Sequence, residues 1–267
     1  MQYLNKFRLD GRVALVTGAF GILGKEVCRG LVEAGANVAL VDLEQAVDES
    51  FLQELGGSAE FFCCDVADER SVSQCVRKIV DRFDRIDILH NNAATKTSNP
   101  RDFFAPFESY PIETWREVMS VNIDGMFLVA QAVGKIMRDQ GAGVIVQTSS
   151  IYGMLGPDKR IYFGSNYLGG EINTPAVYSA SKAAVIGLTK WLATYWGGNG
   201  IRVNCLVPGG MSSGQNSQFS ELYSSKVPMA RMARVEEMVP PFLYLVSDAS
   251  SYVTGHVMAV DGGWSAW

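Results

Sequence analysis

The sequence predicts a single α/β domain in which a doubly wound parallel sheet of about seven strands carries helices on both faces. Short β-branched runs bounded by Gly alternate with longer stretches whose apolar residues recur at helical spacing. Repeats of this strand–helix unit imply parallel strands joined by right-handed crossovers. The 267 residues suit one large α/β domain, residues 1–267, because no linker, internal repeat or low-complexity tract interrupts them.

Seven strands and five helices are expected in alternation. The strands are residues 12–16, 38–41, 61–64, 86–90, 144–148, 201–207 and, at the sheet edge, 257–260. The first helix presents Leu23, Val27 and Leu31 on one face and ends at Gly35. The other helices are residues 71–83, 112–138, 178–196 and 236–247. Residues 94–110, 153–175 and 209–226 are expected to be long loops, and in doubly wound sheets such loops lie where ligands bind.

Composition and charge exclude several classes of function. The chain has a net charge of −5 and a pI near 5.2, whereas nucleic acids and membrane surfaces require a cationic face. No apolar run reaches the roughly 20 residues that would cross a bilayer, and the polar N-terminus is not a signal peptide. We therefore expect no nucleic-acid or membrane partner.

Five cysteines occupy positions 28, 63, 64, 75 and 205. Their number is odd and their spacing matches no zinc site, so we expect reduced, mostly buried thiols and no metal. The adjacent Cys63 and Cys64 have the period of a strand and are expected to point to opposite faces. These features predict a cytoplasmic protein.

A Gly-rich turn follows the first strand and precedes the first helix. It reads Thr17-Gly18-Ala19-Phe20-Gly21-Ile22-Leu23-Gly24. Gly18 permits a tight turn, Gly21 lets the backbone approach a pyrophosphate, and Gly24 lets the helix pack closely. The helix N-terminus offers N–H groups and partial positive charge to phosphates. A turn that merely uses Gly for positive φ is the alternative, but the strand–turn–helix context favours a dinucleotide site.

An acid ends the second strand. Asp42 stands 24 positions after Gly18, where a carboxylate accepts hydrogen bonds from ribose hydroxyls and repels a 2′-phosphate. No Arg or Lys follows at once, which favours NAD over NADP; a helix N-cap or solvated acid is the alternative. Asp65-Val66 and Asn91-Asn92-Ala93-Ala94 end the next two strands, in positions suited to adenine and the nicotinamide ribose or to simple turns.

Four polar residues suggest a proton-transfer site. Tyr178 and Lys182 have the i, i+4 spacing of one helix face, and a neighbouring ammonium would help a phenol of reference pKa about 10 to shuttle protons. Alone, this spacing is common on surface helices. Ser150 ends the fifth strand, where its hydroxyl would hydrogen-bond a substrate oxygen. Asn122 lies within a predicted helix, where it is either a solvated surface amide or a polar link between the lysine and a relay water.

These motifs occur along the chain in the order typical of the short-chain dehydrogenase/reductase family, which the chain resembles over essentially its whole length. Shared segments also include Pro208-Gly209 and the ending Ala259-Val260-Asp261-Gly262-Gly263-Trp264. The resemblance implies a Rossmann-type fold, nicotinamide hydride transfer and a homotetramer or homodimer. It implies that Tyr178 is the general acid/base. It implies that Lys182 lowers the pKa of Tyr178 and binds the nicotinamide ribose. It also implies that Ser150 orients the substrate oxygen and that Asn122 holds the relay water.

The resemblance assigns NAD binding to a long series of residues. They are Gly18, Phe20, Gly21, Ile22, Leu23, Gly24, Asp42, Leu43, Asp65, Val66, Asn92, Ala93, Ala94, Tyr178, Lys182, Pro208, Gly209, Met211 and Ser213. Three positions depart from the usual pattern. The middle Gly comes one position early, with Ile22 in its place, as in the longer sugar-nucleotide-modifying branch; Ala94 replaces a Gly, and Ser213 replaces a Thr.

The segment from Ser150 to Tyr178 spans 28 positions and is much longer than in most relatives. Its polar residues include Asp158, Lys159, Arg160, Tyr162, Tyr167 and Glu171. It is similar to relatives linked to sugar-acid and flagellar-glycan pathways, which favours a polar, carbohydrate-derived or anionic small-molecule substrate. The cations expected to meet a carboxylate or phosphate are Lys96, Arg101, Lys159 and Arg160. An oligomer contact or a solvated loop is the equal alternative.

Three functions remain open from the sequence. They are an NAD-dependent alcohol dehydrogenase or ketone reductase, a sugar-nucleotide epimerase or dehydratase, and a nucleotide-sensing regulator without turnover. The intact set of Ser150, Tyr178 and Lys182 argues against a sensor, which needs no tuned phenol. The absence of an added substrate domain argues against the epimerase or dehydratase.

Overall fold

Seven parallel strands form one sheet in the computed structural model, which describes residues 3–97, 99–167 and 170–267. Ser98, Leu168 and Gly169, which belong to predicted loops, lie outside the described residues, as does the side chain of Tyr167. Two further strands of the described residues lie outside this sheet. In chain order, all of these strands are β1 (Val13–Thr17), β2 (Asn37–Asp42), β3 (Ala59–Cys63), β4 (Ile88–Asn91), β5 (Gly143–Thr148), β6 (Asn166–Tyr167), β7 (Gly170–Glu171), β8 (Ile201–Pro208) and β9 (Val257–Val260). The short β6 and β7 form a separate hairpin.

The order across the sheet is β3-β2-β1-β4-β5-β8-β9, and every neighbouring pair is parallel. The predicted doubly wound α/β fold is therefore confirmed, and each predicted strand lies within two residues of its observed bounds. The strand order reverses between β1 and β4. Ligands bind at such a switch point, beyond the carboxyl ends of the strands.

Nine helices surround the sheet in the described part of the chain. They are α1 (Ile22–Glu33), α2 (Glu49–Leu55), α3 (Glu69–Phe83), α4 (Pro100–Phe103), α5 (Ile112–Met119), α6 (Met126–Gln140), α7 (Ala176–Trp196), α8 (Ser217–Ser224) and α9 (Val239–Val246). The predicted helix 112–138 is interrupted by a π-helical turn, Ser120–Gly125. The predicted helix 236–247 is shortened, because a 3-10 turn, Val235–Met238, precedes α9.

Three short helices were not predicted. Helix α2 lies between β2 and β3, α4 within the predicted loop 94–110, and α8 within the predicted loop 209–226. Each begins at a side-chain cap, Asp48, Asn99 and Asn216 respectively, which accepts a hydrogen bond from a backbone N–H of the first turn. Pro240 and Pro241 stand in the first turn of α9, where their missing N–H groups are not needed.

The core lies on both faces of the sheet. One apolar cluster joins the sheet to α3, α6 and the C-terminal half of α7, and the other joins it to α1 and α9. Close helix packing depends on glycine at two positions, since a Cβ on Gly134 would lie 2.1 Å from Trp196 and one on Gly30 would lie 2.2 Å from Val239. The side chains thus fill both layers expected of a doubly wound sheet.

All five cysteines are free thiols, and Cys63 is exposed whereas the other four are buried. The opposite orientations predicted for Cys63 and Cys64 are confirmed. Throughout the described ranges, no helix has both the length and the apolarity needed to span a bilayer. The same residues contain no group of three His, Cys, Asp or Glu side chains placed to hold a metal ion.

Candidate active site

The Gly-rich turn joins β1 to α1 in a tightly packed arrangement. Gly18 has a φ of +64°, and a Cβ there would lie 3.0 Å from the Cα of Ala93. Gly24 packs against the same turn, because a Cβ on it would lie 2.1 Å from the carbonyl oxygen of Gly18. The roles predicted for Gly18 in the turn and Gly24 in helix packing are therefore visible in the backbone.

The N-terminus of α1 begins at this turn. Gly21 is its N-cap residue, and no side chain of the described residues caps it. Ile22, the next residue, is exposed, whereas Leu23 is buried in the core. Backbone N–H groups at a helix N-terminus favour phosphate oxygens. The turn thus fits the pyrophosphate of a dinucleotide, and a Cβ on Gly21 would come within 3.2 Å of the carbonyl oxygen of Gly18.

Asp42 ends β2 beside the turn. Its Oδ2 accepts a hydrogen bond from the N–H of Phe20 over 3.1 Å, and its Oδ1 accepts one from the N–H of Leu43 over 2.9 Å. The N-cap interpretation is wrong, because Asp48 caps the helix that follows β2. The backbone contacts instead hold the Asp42 carboxylate next to the Gly-rich turn, where an adenosine ribose would lie.

Thr17, at the end of β1, and two asparagines at the end of β4 support the Gly-rich turn. The Oγ1 of Thr17 accepts hydrogen bonds from the N–H groups of Asn92 and Ala93 over 2.9 and 3.1 Å. The Nδ2 of Asn92 donates to the carbonyl of Thr17 over 3.2 Å, and that of Asn91 donates to the carbonyl of Met126 over 2.7 Å. The two amides and the Thr17 hydroxyl therefore fix the backbone around the Gly-rich turn. The sequence did not predict this supporting role for Thr17.

Other predicted cofactor residues lie at the same end of the sheet. Asp65 and Val66 follow β3. Val66 is buried and packs against Gly125, since a Cβ on Gly125 would lie 2.9 Å from the Cγ2 of Val66. The Oδ1 of Asp65 accepts a hydrogen bond from the N–H of Ala67 over 2.9 Å, so part of its carboxylate shapes a turn. Ala94, after β4, is exposed. Their contacts with a cofactor stay predictions.

Four further predicted cofactor residues lie at the end of β8 or in the segment that follows it. Pro208 is the last residue of β8, and the N–H of Gly209 donates to the carbonyl of Val260 over 3.0 Å. Met211 forms an isolated bridge with Ala233 and packs at the margin of the core. Ser213 is exposed, and its Oγ accepts a hydrogen bond from the side chain of Gln215 over 3.0 Å.

Tyr178 and Lys182 lie in the first two turns of α7, whose N-cap residue is Pro175. The Nζ of Lys182 lies 5.9 Å from the ring centroid of Tyr178, so both side chains project from one face as predicted. Lys182 is only 3% exposed, and its Nζ donates to the backbone carbonyl of Thr148 over 3.0 Å. The ammonium is thereby held at the carboxyl end of β5.

Burial shifts the proton affinity of both side chains. It lowers the pKa of Lys182 to about 8, because little water remains to solvate the ammonium. Burial also raises the pKa of Tyr178 above its usual value; the hydroxyl of Ser150 lowers it in part, and the phenol of Tyr162 raises it further. The lowering of this pKa by Lys182 stays a prediction, because burial, Ser150 and Tyr162 account for the direction of the shift.

Ser150 lies two residues beyond β5 and is buried beside α7. Its Oγ accepts a hydrogen bond from the N–H of Tyr152 over 3.3 Å. The adjacent Ser149 donates its hydroxyl proton to the backbone carbonyl of Lys182 over 2.6 Å, which ties the end of β5 to α7. The structure thus brings Ser150, Tyr178 and Lys182 together.

Asn122 lies in the π-helical turn between α5 and α6. The interpretation as a solvated surface amide is wrong, because Asn122 is fully buried. Its Oδ1 accepts a hydrogen bond from the N–H of Thr95 over 2.9 Å, and its Nδ2 donates to the Oγ of Ser181 over 3.4 Å. The amide therefore joins the segment after β4 to α7. A water-mediated link from Asn122 to Lys182 stays a prediction.

The insertion between Ser150 and Tyr178 packs against α8. The ring of Tyr162 lies 5.5 Å from that of Phe219 between centroids, and its hydroxyl hydrogen-bonds that of Thr174. Asp158 pairs with Arg160 over 2.7 Å and with Lys226 over 3.2 Å. These contacts do not fit a solvated loop, because they join the insertion to the segment that follows β8.

A cleft of about 1040 Å³ separates the insertion from residues 105–110. Its polar lining includes Lys159, Arg160, Glu108, Glu171, Tyr110 and Asn173. Two of the four cations predicted to meet an anion thus line this cleft, although Arg160 already pairs with Asp158. The other two, Lys96 and Arg101, are exposed in the segment after β4.

Comparisons with known proteins agree with this geometry. A family model described as enoyl-(acyl carrier protein) reductase matches residues 18–265. The chain is 36% identical over 274 aligned residues to galactitol 2-dehydrogenase (L-tagatose-forming) of Cereibacter sphaeroides, with 100% of both chains covered.

Two solved structures are similar along the whole chain. One is a short chain dehydrogenase from Leptospira borgpetersenii serovar Hardjo-bovis with bound NAD+, at 32% identity and a TM-score of 0.86, covering 99% of this chain and 96% of that one. The other is a gluconate 5-dehydrogenase from Burkholderia cenocepacia in complex with NADP and tartrate, at 32% identity and a TM-score of 0.86, covering 99% of each chain. The shared fold therefore accommodates a nicotinamide dinucleotide.

Proposed function

The chain belongs to the short-chain dehydrogenase/reductase family, and from this premise we propose that it is an NAD-dependent dehydrogenase of a polar, sugar-derived alcohol, or the reductase of the matching ketone. One observation carries the proposal. Tyr178 and Ser150 lie together at the end of β5, beside an ammonium that Thr148 holds in place. This arrangement suits proton transfer at an oxygen while hydride leaves or joins the adjacent carbon.

Each residue of the site has a distinct task in this proposal. Tyr178 takes the proton of the alcohol during oxidation and returns it during reduction. Ser150 hydrogen-bonds the same oxygen, and Lys182 binds the ribose and places positive charge near the phenol. When bound, nicotinamide supplies the hydride acceptor or donor. The raised pKa of Tyr178 favours the protonated phenol, which is the form needed for reduction.

The proposed substrate class rests on the insertion and on the relatives. The galactitol 2-dehydrogenase is named for a polyol, and the gluconate 5-dehydrogenase for a sugar acid. The insertion lines a cleft with charged and amide side chains, among them Lys159, Glu171 and Asn173; this cleft reaches Ala176 and Ser179 in the first turn of α7, next to Tyr178, although its lining does not include Tyr178 itself. Such groups form hydrogen bonds with hydroxyl and carboxylate groups, whereas a sterol or lipid would require apolar walls.

The proposed preference for NAD rests on Asp42. The similar structures hold NAD+ in one case and NADP in the other, so the family likeness does not decide between them. Two backbone N–H groups fix the Asp42 carboxylate beside the Gly-rich turn. A fixed negative charge there repels a 2′-phosphate and accepts hydrogen bonds from the free ribose hydroxyls.

We also propose that the chain forms a homodimer or homotetramer in the cytoplasm. Trp191 and Tyr195 on α7 are 59% and 61% exposed and stack with centroids 4.7 Å apart, and Phe127 on α6 is 48% exposed. Large exposed aromatic side chains are common at subunit interfaces. Five free thiols fit a reducing compartment. Light scattering on the purified protein tests the oligomeric state.

A panel assay tests the proposed activity. Polyols, sugar acids and simple hydroxy acids are offered with NAD or NADP, and NADH or NADPH formation is followed by absorbance. We expect turnover with a polyol or sugar acid and a preference for NAD. A rearranged product without net NADH release would instead favour the epimerase or dehydratase, whose glycine spacing the Gly-rich turn shares. Tight NAD binding without any turnover would favour the sensor.

A further inference from the structure

Tyr152 lies in the short 3-10 turn Ile151–Gly153, directly after Ser150. Its backbone N–H donates to the Oγ of Ser150 over 3.3 Å. The turn packs against α7, because a Cβ on Gly153 would lie 2.6 Å from the backbone carbonyl of Lys182. The same backbone that positions Ser150 therefore positions the phenol of Tyr152.

The hydroxyl of Tyr152 is buried and makes no hydrogen bond of normal length and angle with the described residues. Burial raises the pKa of Tyr152 above its usual value, and the phenol of Tyr162 raises it further, both by its charge and as a loose hydrogen-bond partner; the phenols of Tyr223 and Tyr178 add to the rise, so this hydroxyl remains a proton donor at working pH. Buried polar atoms nearly always have partners, and an exception needs a physical explanation. A ligand oxygen that enters between these phenols would supply the missing partner.

Tyr162, in the middle of the insertion, lies near both Tyr152 and Tyr178. Its ring packs on Phe219 of α8, and its hydroxyl hydrogen-bonds that of Thr174, which precedes Tyr178 by four residues. The half-buried phenol of Tyr162 lies close enough to Tyr178 to raise the pKa of that residue. The start and the middle of the insertion thus each place one additional phenol near Tyr178.

We infer that Tyr152 and Tyr162 are specificity-determining residues whose hydroxyls bind a second substrate hydroxyl, on the carbon next to the reacting one. The inference rests on the proposed function, since it requires the reacting oxygen to lie between Tyr178 and Ser150. A vicinal diol or α-hydroxy ketone carries its second oxygen one carbon away, within reach of the two phenols. A hydroxyl group both donates and accepts, so it satisfies the Tyr152 phenol, to which the protein offers no hydrogen bond of normal geometry, and can accept or donate a second bond at the Tyr162 phenol.

The test uses two alcohols that differ in a single hydroxyl, cis-cyclohexane-1,2-diol and cyclohexanol. The proteins are the wild type, Tyr152→Phe, Tyr162→Phe and a control, Tyr252→Phe, whose side chain is fully exposed. Oxidation is followed as NADH formation at saturating NAD. Binding is measured separately, by titrating each alcohol into the NADH-loaded protein and following nicotinamide fluorescence.

We expect the wild type to prefer the diol in both measurements. Each active-site variant should lose about tenfold in kcat/KM and in affinity for the diol, the effect of one hydrogen bond, and change little with cyclohexanol. Tyr252→Phe should change neither. Phenylalanine keeps the ring and its packing, so the melting temperature should stay close to that of the wild type.

Equal losses for both alcohols would overturn the inference, because a purely structural role does not depend on the second hydroxyl. Equal wild-type affinity for the two alcohols, or unchanged diol binding in both variants, would overturn it as well. A wild type that turns over no alcohol of the substrate panel but binds the diol better than cyclohexanol, with that preference lost in Tyr152→Phe, would overturn the dehydrogenase assignment and support the tyrosine pair.

Discussion

The ammonium of Lys182 donates a hydrogen bond to the backbone carbonyl of Thr148 over 3.0 Å. This contact places a buried cation at the end of β5, in the same small volume as Tyr178 and Ser150. Without it, a lysine so deprived of water would lack a partner for its charge. The geometry of the proposed proton-transfer site therefore begins with a main-chain oxygen, which no sequence motif records.

The rate of ketone reduction is predicted to fall as the pH rises through about 8. The lowered pKa of Lys182, about 8, means that its ammonium is present below that pH and lost above it, while the raised pKa of Tyr178 keeps the phenol protonated. We expect kcat/KM with NADH to decrease about tenfold per pH unit above the inflection. Lys182→Arg, which stays charged, should lack the inflection. A wild-type profile that stays level to about pH 10 would contradict this role for the lysine.

Asp42→Ala is predicted to shift the cofactor preference toward NADP. The substitution removes a carboxylate that repels the 2′-phosphate and accepts hydrogen bonds from the ribose. We expect the NADP/NAD ratio of kcat/KM to rise by roughly 30- to 150-fold, the equivalent of about 2–3 kcal/mol. Asp65→Ala, at the end of the next strand, is the control and should leave the ratio unchanged. A wild type that already prefers NADP would refute the assignment of Asp42.

Lys226→Met is predicted to weaken substrate binding with little effect on stability. It breaks the 3.2 Å pair with Asp158 that joins the insertion to the segment after α8. Partly exposed pairs contribute roughly 0–1 kcal/mol, so the melting temperature should hardly change, whereas KM should rise severalfold because the insertion is less well positioned. Arg138→Met breaks the exposed pair with Asp139 and serves as the control. An unchanged KM would show that the pair does not position the insertion.

His90 is predicted to make the folded state less stable at acid pH. It is fully buried in β4, its Nε2 pairs with the Oγ1 of Thr148 over 2.9 Å, and burial lowers its pKa to about 3. An unfolded histidine titrates near about 6.5, so at intermediate pH the unfolded chain binds a proton that the folded chain does not. Stability should therefore fall by roughly 1.4 kcal/mol per pH unit as the pH drops below about 6.

Urea unfolding measures this effect in the wild type and in His90→Gln, which lacks the titrating ring. The stability difference between them should change in favour of the variant as the pH falls from about 7 to about 5. A difference that stays constant over this range would show that His90 titrates normally.

The sheet could be predicted from the sequence because parallel strands are buried on both faces. Such strands, for example Val13–Thr17, appear as short, nearly continuous apolar runs bounded by Gly or polar residues. The residues that follow these runs lie at one edge of the sheet, so their order in the chain predicted the shared location of Asp42, Asp65 and Ser150. Helix α8 was not predicted, because its Ser-rich sequence looks like a loop and its Asn216 cap has meaning only once the helix is known.

Two features of the candidate site depend on tertiary contacts that no local pattern encodes. The sequence left two interpretations of Asn122 open, and its burial, which excludes the solvated amide, follows from the π-helical turn and from contacts with Thr95 and Ser181. The positions of Tyr152 and Tyr162 depend on how the insertion folds back onto α8. Tyr162 was noted in the sequence as one polar residue among several, but its hydrogen bond with Thr174 could not be foreseen.

The most direct test of the account is the activity of Tyr178→Phe. The substitution removes the proton-transferring hydroxyl and keeps the ring that packs beside Val177 and Phe103. We predict that kcat with the best alcohol from the substrate panel falls by about a thousandfold or more, while NADH binding, followed by fluorescence, changes less than about threefold. Turnover within about tenfold of the wild type would contradict the proposed role of Tyr178.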